Sequence, residues 1–214
     1  MSSTVPIAVE IPQGYIALPL TGIDDAIART ESLFAAGDLE MLTDTAPAIL
    51  QALKTTLTEL ARLDTVYCGI GRHISADGGQ ISSTLTVAVS EYGERRNPRL
   101  TLGDVLIGRR DAGERYTNAE LVDVNGRTVL LLDRTRAVPT PALPGYDLSE
   151  PEQQVYQIEA IVSSPDGSAI AVVELSTAFA DHGEEYLVPI AEMAASIRFE
   201  NTSSRSSMPF SLDL

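Results

Sequence analysis

Tryptophan is absent from this 214-residue chain, and aromatic residues make up only 5% of it. Any core must therefore be aliphatic, built from Leu, Ile, Val and Ala. A single cysteine, Cys68, cannot close an internal disulfide. That removes the main sequence sign of an oxidising compartment. Two histidines, His73 and His182, are too few for a His-based zinc site. Lysine is nearly missing: Lys54 stands alone beside fourteen arginines. No run approaches the roughly 18 uncharged apolar residues of a membrane helix. The opening "MSSTVPIAVEIPQG" lacks a basic segment followed by an apolar one, which predicts no signal peptide. Together these absences predict a cytoplasmic protein without metal or cofactor.

What is present is acid. The formal net charge is −15. A field of that sign repels phosphate backbones and anionic lipid, so nucleic acid and membrane are excluded as partners and a basic protein is favoured. Apolar residues make up 44%, ordinary for a globular chain. The length suits one sizeable domain with a real core. No internal repeat and no linker divides residues 1–199.

Periodicity supplies the elements. Short strands are expected in "VEIPQGYIALPL", broken at Pro12 and Gly14. Thr21 to Asp24 reads as a capping box opening a helix over residues 24–36, with Gly37 behind it. Ala46, Ile49, Leu50, Leu53, Leu57 and Leu60 trace one face of a second helix beginning near Thr45, since Pro47 is tolerated only in a first turn. Residues 38–44 read as a separate helical turn. The period then becomes two. In "TVYCGIGRH", Val66, Cys68 and Ile70 share one face, and Tyr67, Gly69, Gly71 and His73 the other. In "QISSTLTVAVSEY", Ile81, Leu85, Val87 and Val89 oppose Ser82, Thr84, Thr86 and Ser90. Thr101 to Asp104 suggests a short helix of two turns. Asn125-Gly126 marks a hairpin, and Ser164-Pro165-Asp166-Gly167 marks another. A proline-rich loop, "PTPALPGYDLSEPEQ", lies between them. Pro189 is expected to start the last helix, with Ile190, Met193, Ala194 and Ile197 inward. Hairpins dictate antiparallel pairing, and the long helices should cover the faces. The predicted fold is α+β: one α/β/α sandwich around a central, mainly antiparallel sheet.

Candidate chemistry is sparse. Cys68 sits between apolar neighbours and His73 points to the opposite face, so the thiol reads as a buried hydrophobe. Gly69-x-Gly71 lacks the third glycine and the following helix of a dinucleotide site. The two glycines are expected to mark a bulge or a close approach by a covering helix. "DHGEEY" (181–186) reads as an acidic loop before a helix. Arg95, Arg96, Arg99, Arg109 and Arg110 flank one short helix. They form either a ligand patch for phosphate or carboxylate, or ion pairs with the interleaved Glu94, Asp111 and Glu114. No nucleophile elbow and no P-loop occurs. Residues 200–214 form a tail. Its "ENTSSRSS" reads as a tether, and "MPFSLDL" places Phe210, Leu212 and Leu214 at the period of an added strand. Either they dock on a partner or a second copy, or they form a strand on their own domain.

The order of these elements, with "GYIALPL" early and "LVPIAEMAASIRF" closing the domain, resembles the Mog1/PsbP-like fold, in particular the actinobacterial LpqN-type proteins. That resemblance, over about residues 10–199, implies an α/β/α sandwich used for binding proteins, with no shared catalytic residues. Two functions remain open. One is a non-catalytic cytoplasmic interaction or adaptor domain. The other is a small-ligand binder or minor enzyme using the arginine patch. Converging polar side chains in a pocket would favour the second; a filled interior with an exposed apolar face or sheet edge would favour the first.

Overall fold

The computed structural model describes residues 5–36, 45–140 and 151–200. The turn expected at 38–44, most of the proline-rich loop and the peptide with Phe210, Leu212 and Leu214 lie outside the described residues.

Within the described residues the elements run β1 (Ile7–Ala8), β2 (Tyr15–Ala17), α1 (Ile23–Ala36), α2 (Ala46–Arg62), β3 (Thr65–Ile74), β4 (Gln80–Glu91), α3 (Pro98–Asp111), β5 (Asn118–Val124), β6 (Arg127–Pro139), β7 (Glu152–Ser163) and β8 (Ala169–Thr177). A 3-10 turn (Ala180–Tyr186), α4 (Leu187–Ser196) and β9 (Arg198–Phe199) follow. Seven strands form one antiparallel sheet in the order β2-β3-β4-β8-β7-β6-β5. The short β1 and β9 pair separately, Ile7 opposite Phe199. The β5–β6 hairpin turns at Asn125 and Gly126, both with positive φ, as that two-residue turn requires.

The sheet is covered unequally. On one face Leu85, Val87, Ile158, Val173 and Leu175 meet Ile190, Met193 and Ala194 of α4, and Ile197 just past its end, in the larger apolar core. Val5, Ile7, Val9 and Ile11 cross over this layer and pack on it. On the other face Leu102 and Val105 of α3 close a smaller core with Leu130, Leu132, Ile161 and Ile170. Arg127 ties the first layer down: its guanidinium donates to the carbonyls of Ala195, Ile197 and Ser163, satisfying the end of α4.

Several expectations change. The long helices α1 and α2 pack chiefly on each other, joined at the surface by Lys54 and Asp24, and α2 meets the sheet chiefly along β3. Covering falls to α3 and α4 instead. Helix α1 opens one residue earlier than expected, with Gly22 rather than Thr21 at its start and the Gly22 carbonyl accepting from Ala26. Helix α3 is twice the expected length because Asn97 caps it, accepting from the Arg99 N–H, and Pro98 fills the first position. Thr101 lies inside that helix, fully buried, and donates to the Gly167 carbonyl. Pro189 is the third residue of α4, not the first, because the 3-10 turn occupies the residues before it. The four side chains expected inward on α4 are buried.

Strand β3 is the sharpest correction. Its register with β4 shifts between Thr65 and Tyr67. Tyr67 packs on the larger core, so the face carrying Tyr67, Gly69, Gly71 and His73 is the inward one. Cys68 is buried at 2% exposure, as expected, but Val66 and Ile70 are exposed. Burial raises the Cys68 thiol pKa, which keeps it protonated.

Candidate functional site

Three places on the molecule gather chemistry. The first is a charged network on the α3 face. Gln157 and Glu159 point from β7 between α3 and the sheet, and both are buried. Glu159 meets Arg109 of α3 at 2.5 Å and Arg134 of β6 at 3.7 Å. Arg134 also donates from Nε to Gln157 Oε1 (2.9 Å), and Gln157 donates to Glu174 Oε1 (2.7 Å). Tyr116 donates to Glu114 at 2.6 Å, and Glu114 is paired with Arg134 and Arg109. Burial pushes the Glu159 carboxyl upward, against the pull of Arg109; Glu174, directly opposite on β8, pushes it further. The hydroxyl of Tyr116, aided by the two arginines, holds Glu114 down.

The five arginines singled out in the sequence do not converge. Arg95 pairs with Asp166 in the β7–β8 turn and Arg96 with Asp104, both beside the start of α3. Arg99 is exposed there, on the rim of a groove shared with Arg127 and Arg198. Arg109 and Arg110 lie at the far end of α3, about three turns along at 5.4 Å each. Arg109 faces the network and Arg110 faces solvent. Of the acids expected to pair with them, Glu114 does so. Phe210, Leu212 and Leu214 lie outside the described residues.

The second place answers why "CGIGRH" carries two glycines. A Cβ on Gly71 would fall 2.5 Å from His73 Nε2 and 2.7 Å from the Tyr15 ring; one on Gly69 would fall 2.4 Å from the Tyr67 hydroxyl. The glycines make room for aromatic side chains of the same and the adjoining strand, not for a covering helix. Over Gly71 the Tyr15 and His73 ring centroids are 5.0 Å apart, and Tyr186 meets His73 edge-on at 5.6 Å. Ser83 lies behind them, 2.8 Å from the Tyr15 hydroxyl and 3.3 Å from His73 Nε2. Burial pushes the Tyr15 hydroxyl up to about 12 and lowers His73, so both are neutral at pH 7. The second histidine comes to the same end of the sheet. His182 Nδ1 is 2.9 Å from Glu185, which raises its pKa, and Glu185 also accepts from the Ala76 N–H across the β3–β4 turn. No group of three or more His, Cys, Asp or Glu suited to a metal ion occurs among the described residues.

The third place is an uncovered area. On the second sheet face the β2–β3 edge and the neighbouring part of β4 are exposed. Ile16 and Ile70 are cross-strand partners there, 76% and 42% exposed, and Ile74 on the same face is 70% exposed. Thr84, opposite Ile70, is exposed as well.

No protein-family model matches this chain, and no curated protein matches it. Among the described residues no helix is long and apolar enough to cross a membrane.

Proposed function

We propose that this chain is a non-catalytic, cytoplasmic protein-binding or adaptor domain that docks its partner on the open half of the second sheet face. The row Ile16–Ile70–Ile74 carries the reading. Single exposed apolar residues are ordinary, but Ile16 and Ile70 are cross-strand partners and Ile74 follows along the same face of β3 beyond Arg72, which together make an apolar edge of the kind that marks interaction surfaces. The net charge of −15 favours a partner segment in which apolar residues alternate with Lys or Arg. Helices on both sides of an antiparallel sheet are also what the Mog1/PsbP-like resemblance implies, and that analogy supports a binding role without supplying a site. The charged network points the same way. Glu114 and Glu159 are already matched by Arg109 and Arg134, and Glu174 accepts from Gln157.

The test is affinity purification with the wild-type chain and with Ile16→Ser/Ile70→Ser/Ile74→Ser. The variant is expected to keep the wild-type melting temperature and to lose the partners bound by the wild type. Retention of all of them by a folded variant would refute the surface. Deleting residues 203–214 asks the separate question of whether the tail joins copies or partners.

A further inference from the structure

At the end of the sheet where the β5–β6 and β7–β8 turns lie, a groove of about 670 Å³ opens between the start of α3 and β9. Its volume falls in the range of small-molecule sites. Pro98, Pro165, Ile197 and Phe199 give it apolar walls. Arg99, Arg127 and Arg198 line it as well, and no Asp or Glu does. On a chain of net charge −15 that is a local inversion of sign.

The three arginines are short of counter-charge. Arg127 is half-buried, with its guanidinium over the Phe199 ring at 5.6 Å. The carbonyls of Ala195, Ile197 and Ser163 accept from it. They meet its hydrogen bonds, and the α4 dipole offsets part of its charge, but no carboxylate pairs with it among the described residues. Arg109 and Arg134, also half-buried, are each paired with carboxylates. A partly buried cation without one is costly, and an anion that reached it would relieve that cost. Arg99 is exposed and has no ion pair among the described residues; Arg198 reaches Glu10 only at 4.0 Å, both side chains being exposed. Asp166 lies past Pro165 in the neighbouring groove, held by Arg95, Ser164 and Ser168. The start of α3 adds no free donor. Pro98 has no N–H, and those of Arg99, Leu100 and Thr101 are bonded to Asn97. The attraction therefore comes from the guanidinium groups, whose planar forks match a carboxylate. The field of the whole molecule opposes polyanions most, which selects a single charge.

We propose that this groove binds a small organic anion with one carboxylate and an apolar body. The carboxylate meets the guanidinium groups of Arg99, Arg127 and Arg198. The body lies against the prolines, Ile197 and Phe199, and no bond is made or broken. The site is separate from the isoleucine row, which lies on β2 and β3.

The probe is phenylacetate, followed by ¹⁵N NMR titration of the full chain. Saturable shifts are expected at the amides of Gly126, Arg127 and Phe199. Phenylacetamide has nearly the same shape without the charge and is expected to bind about tenfold more weakly or worse. Acetate has the charge without the body and is expected to give no saturable shifts. Arg99→Gln/Arg198→Gln changes two exposed side chains, so it should keep the wild-type melting temperature and weaken phenylacetate about tenfold. The proposal is overturned if phenylacetate gives no saturable shifts at these amides, or if phenylacetamide binds as well. It is equally overturned if acetate binds as tightly as phenylacetate, or if the folded double variant keeps the wild-type affinity.

Discussion

On the α4 side of the sheet, burial is achieved mainly with aliphatic side chains, and its few buried polar groups, such as Asp133 bound by Asn118 and Ser83 bound by Tyr15, carry no salt bridge. On the α3 side the same strands β7 and β8 present Gln157, Glu159 and Glu174, and burial there depends on specific partners from α3 and β6. The difference follows from coverage. Helix α4, with the N-terminal segment over it, seals its layer. Helix α3 seals only part of its own, and the polar residues sit where that cover ends. An aliphatic layer loses stability in proportion to what is removed. A charge network loses most when only one member goes, because the others remain buried without a counter-charge.

Four experiments test that contrast. Leu175→Ala, at a fully buried site of the α4 layer, should cost about 4 kcal/mol by urea denaturation. A second truncation such as Ile158→Val should add about 1 kcal/mol more, with no rescue. Arg109→Met removes the nearest cation of Glu159 and should cost about 3 kcal/mol. Here the second mutation reverses the effect: Arg109→Met/Glu159→Leu should regain most of the loss. If the two changes simply add, the network is no network.

The third experiment is a pH series. The folded chain holds the Glu159 proton at pH values where the unfolded chain has released it, because burial raises that carboxyl. The folded state therefore binds more protons in that window, and stability falls as pH rises out of the ordinary carboxylate range. Glu159→Gln should flatten this part of the profile relative to wild type; an identical slope would contradict the raised carboxyl. The smallest effect belongs to the open half of the face. Ile70→Ser should change stability by less than about 0.5 kcal/mol, since the side chain is exposed and touches neither core. A larger loss would show that α2 covers more of β3 than its position implies.

Much of this architecture was legible in residue order. The Asn125-Gly126 turn, the alternation of β4 and the inward residues of α4 each follow from one local rule, and all three stand as expected. What was not legible depends on neighbours. Val66, Cys68 and Ile70 look like an inward face, yet the register shift at Thr65/Tyr67 and the large core behind Tyr67 turn the other face inward. The extent of α3 depends on Asn97-Pro98, which lies a turn upstream of the Thr-x-x-Asp pattern at Thr101 and caps the helix without any acidic third residue. The polar network did leave a trace. Gln157 and Glu159 alternate inside the apolar run "VYQIEAIV", and such residues in a central strand need partners. Their partners Arg109 and Arg134 are 50 and 25 positions away from Glu159, so only tertiary contact joins them. Ser83 and Tyr186 gave no such signal, because a serine in an alternating strand and a tyrosine before a helix are both ordinary.

The pairing of β1 with β9 has a kinetic consequence. Ile7 and Phe199 stand at opposite ends of the described chain, so this two-residue ladder closes a loop spanning nearly the whole sequence. The Glu200 N–H extends it by one bond to the Pro6 carbonyl. Closing so long a loop is an entropic cost that few bonds reward, which places the ladder among the last contacts to form and the first to open. The amide of Glu200 should therefore exchange with solvent orders of magnitude faster than that of Val173 in the central strands. Opening there is expected to lift Val5 and Ile7 from the α4 layer and to leave the seven-stranded sheet paired, which would make the ladder a latch that releases without unfolding.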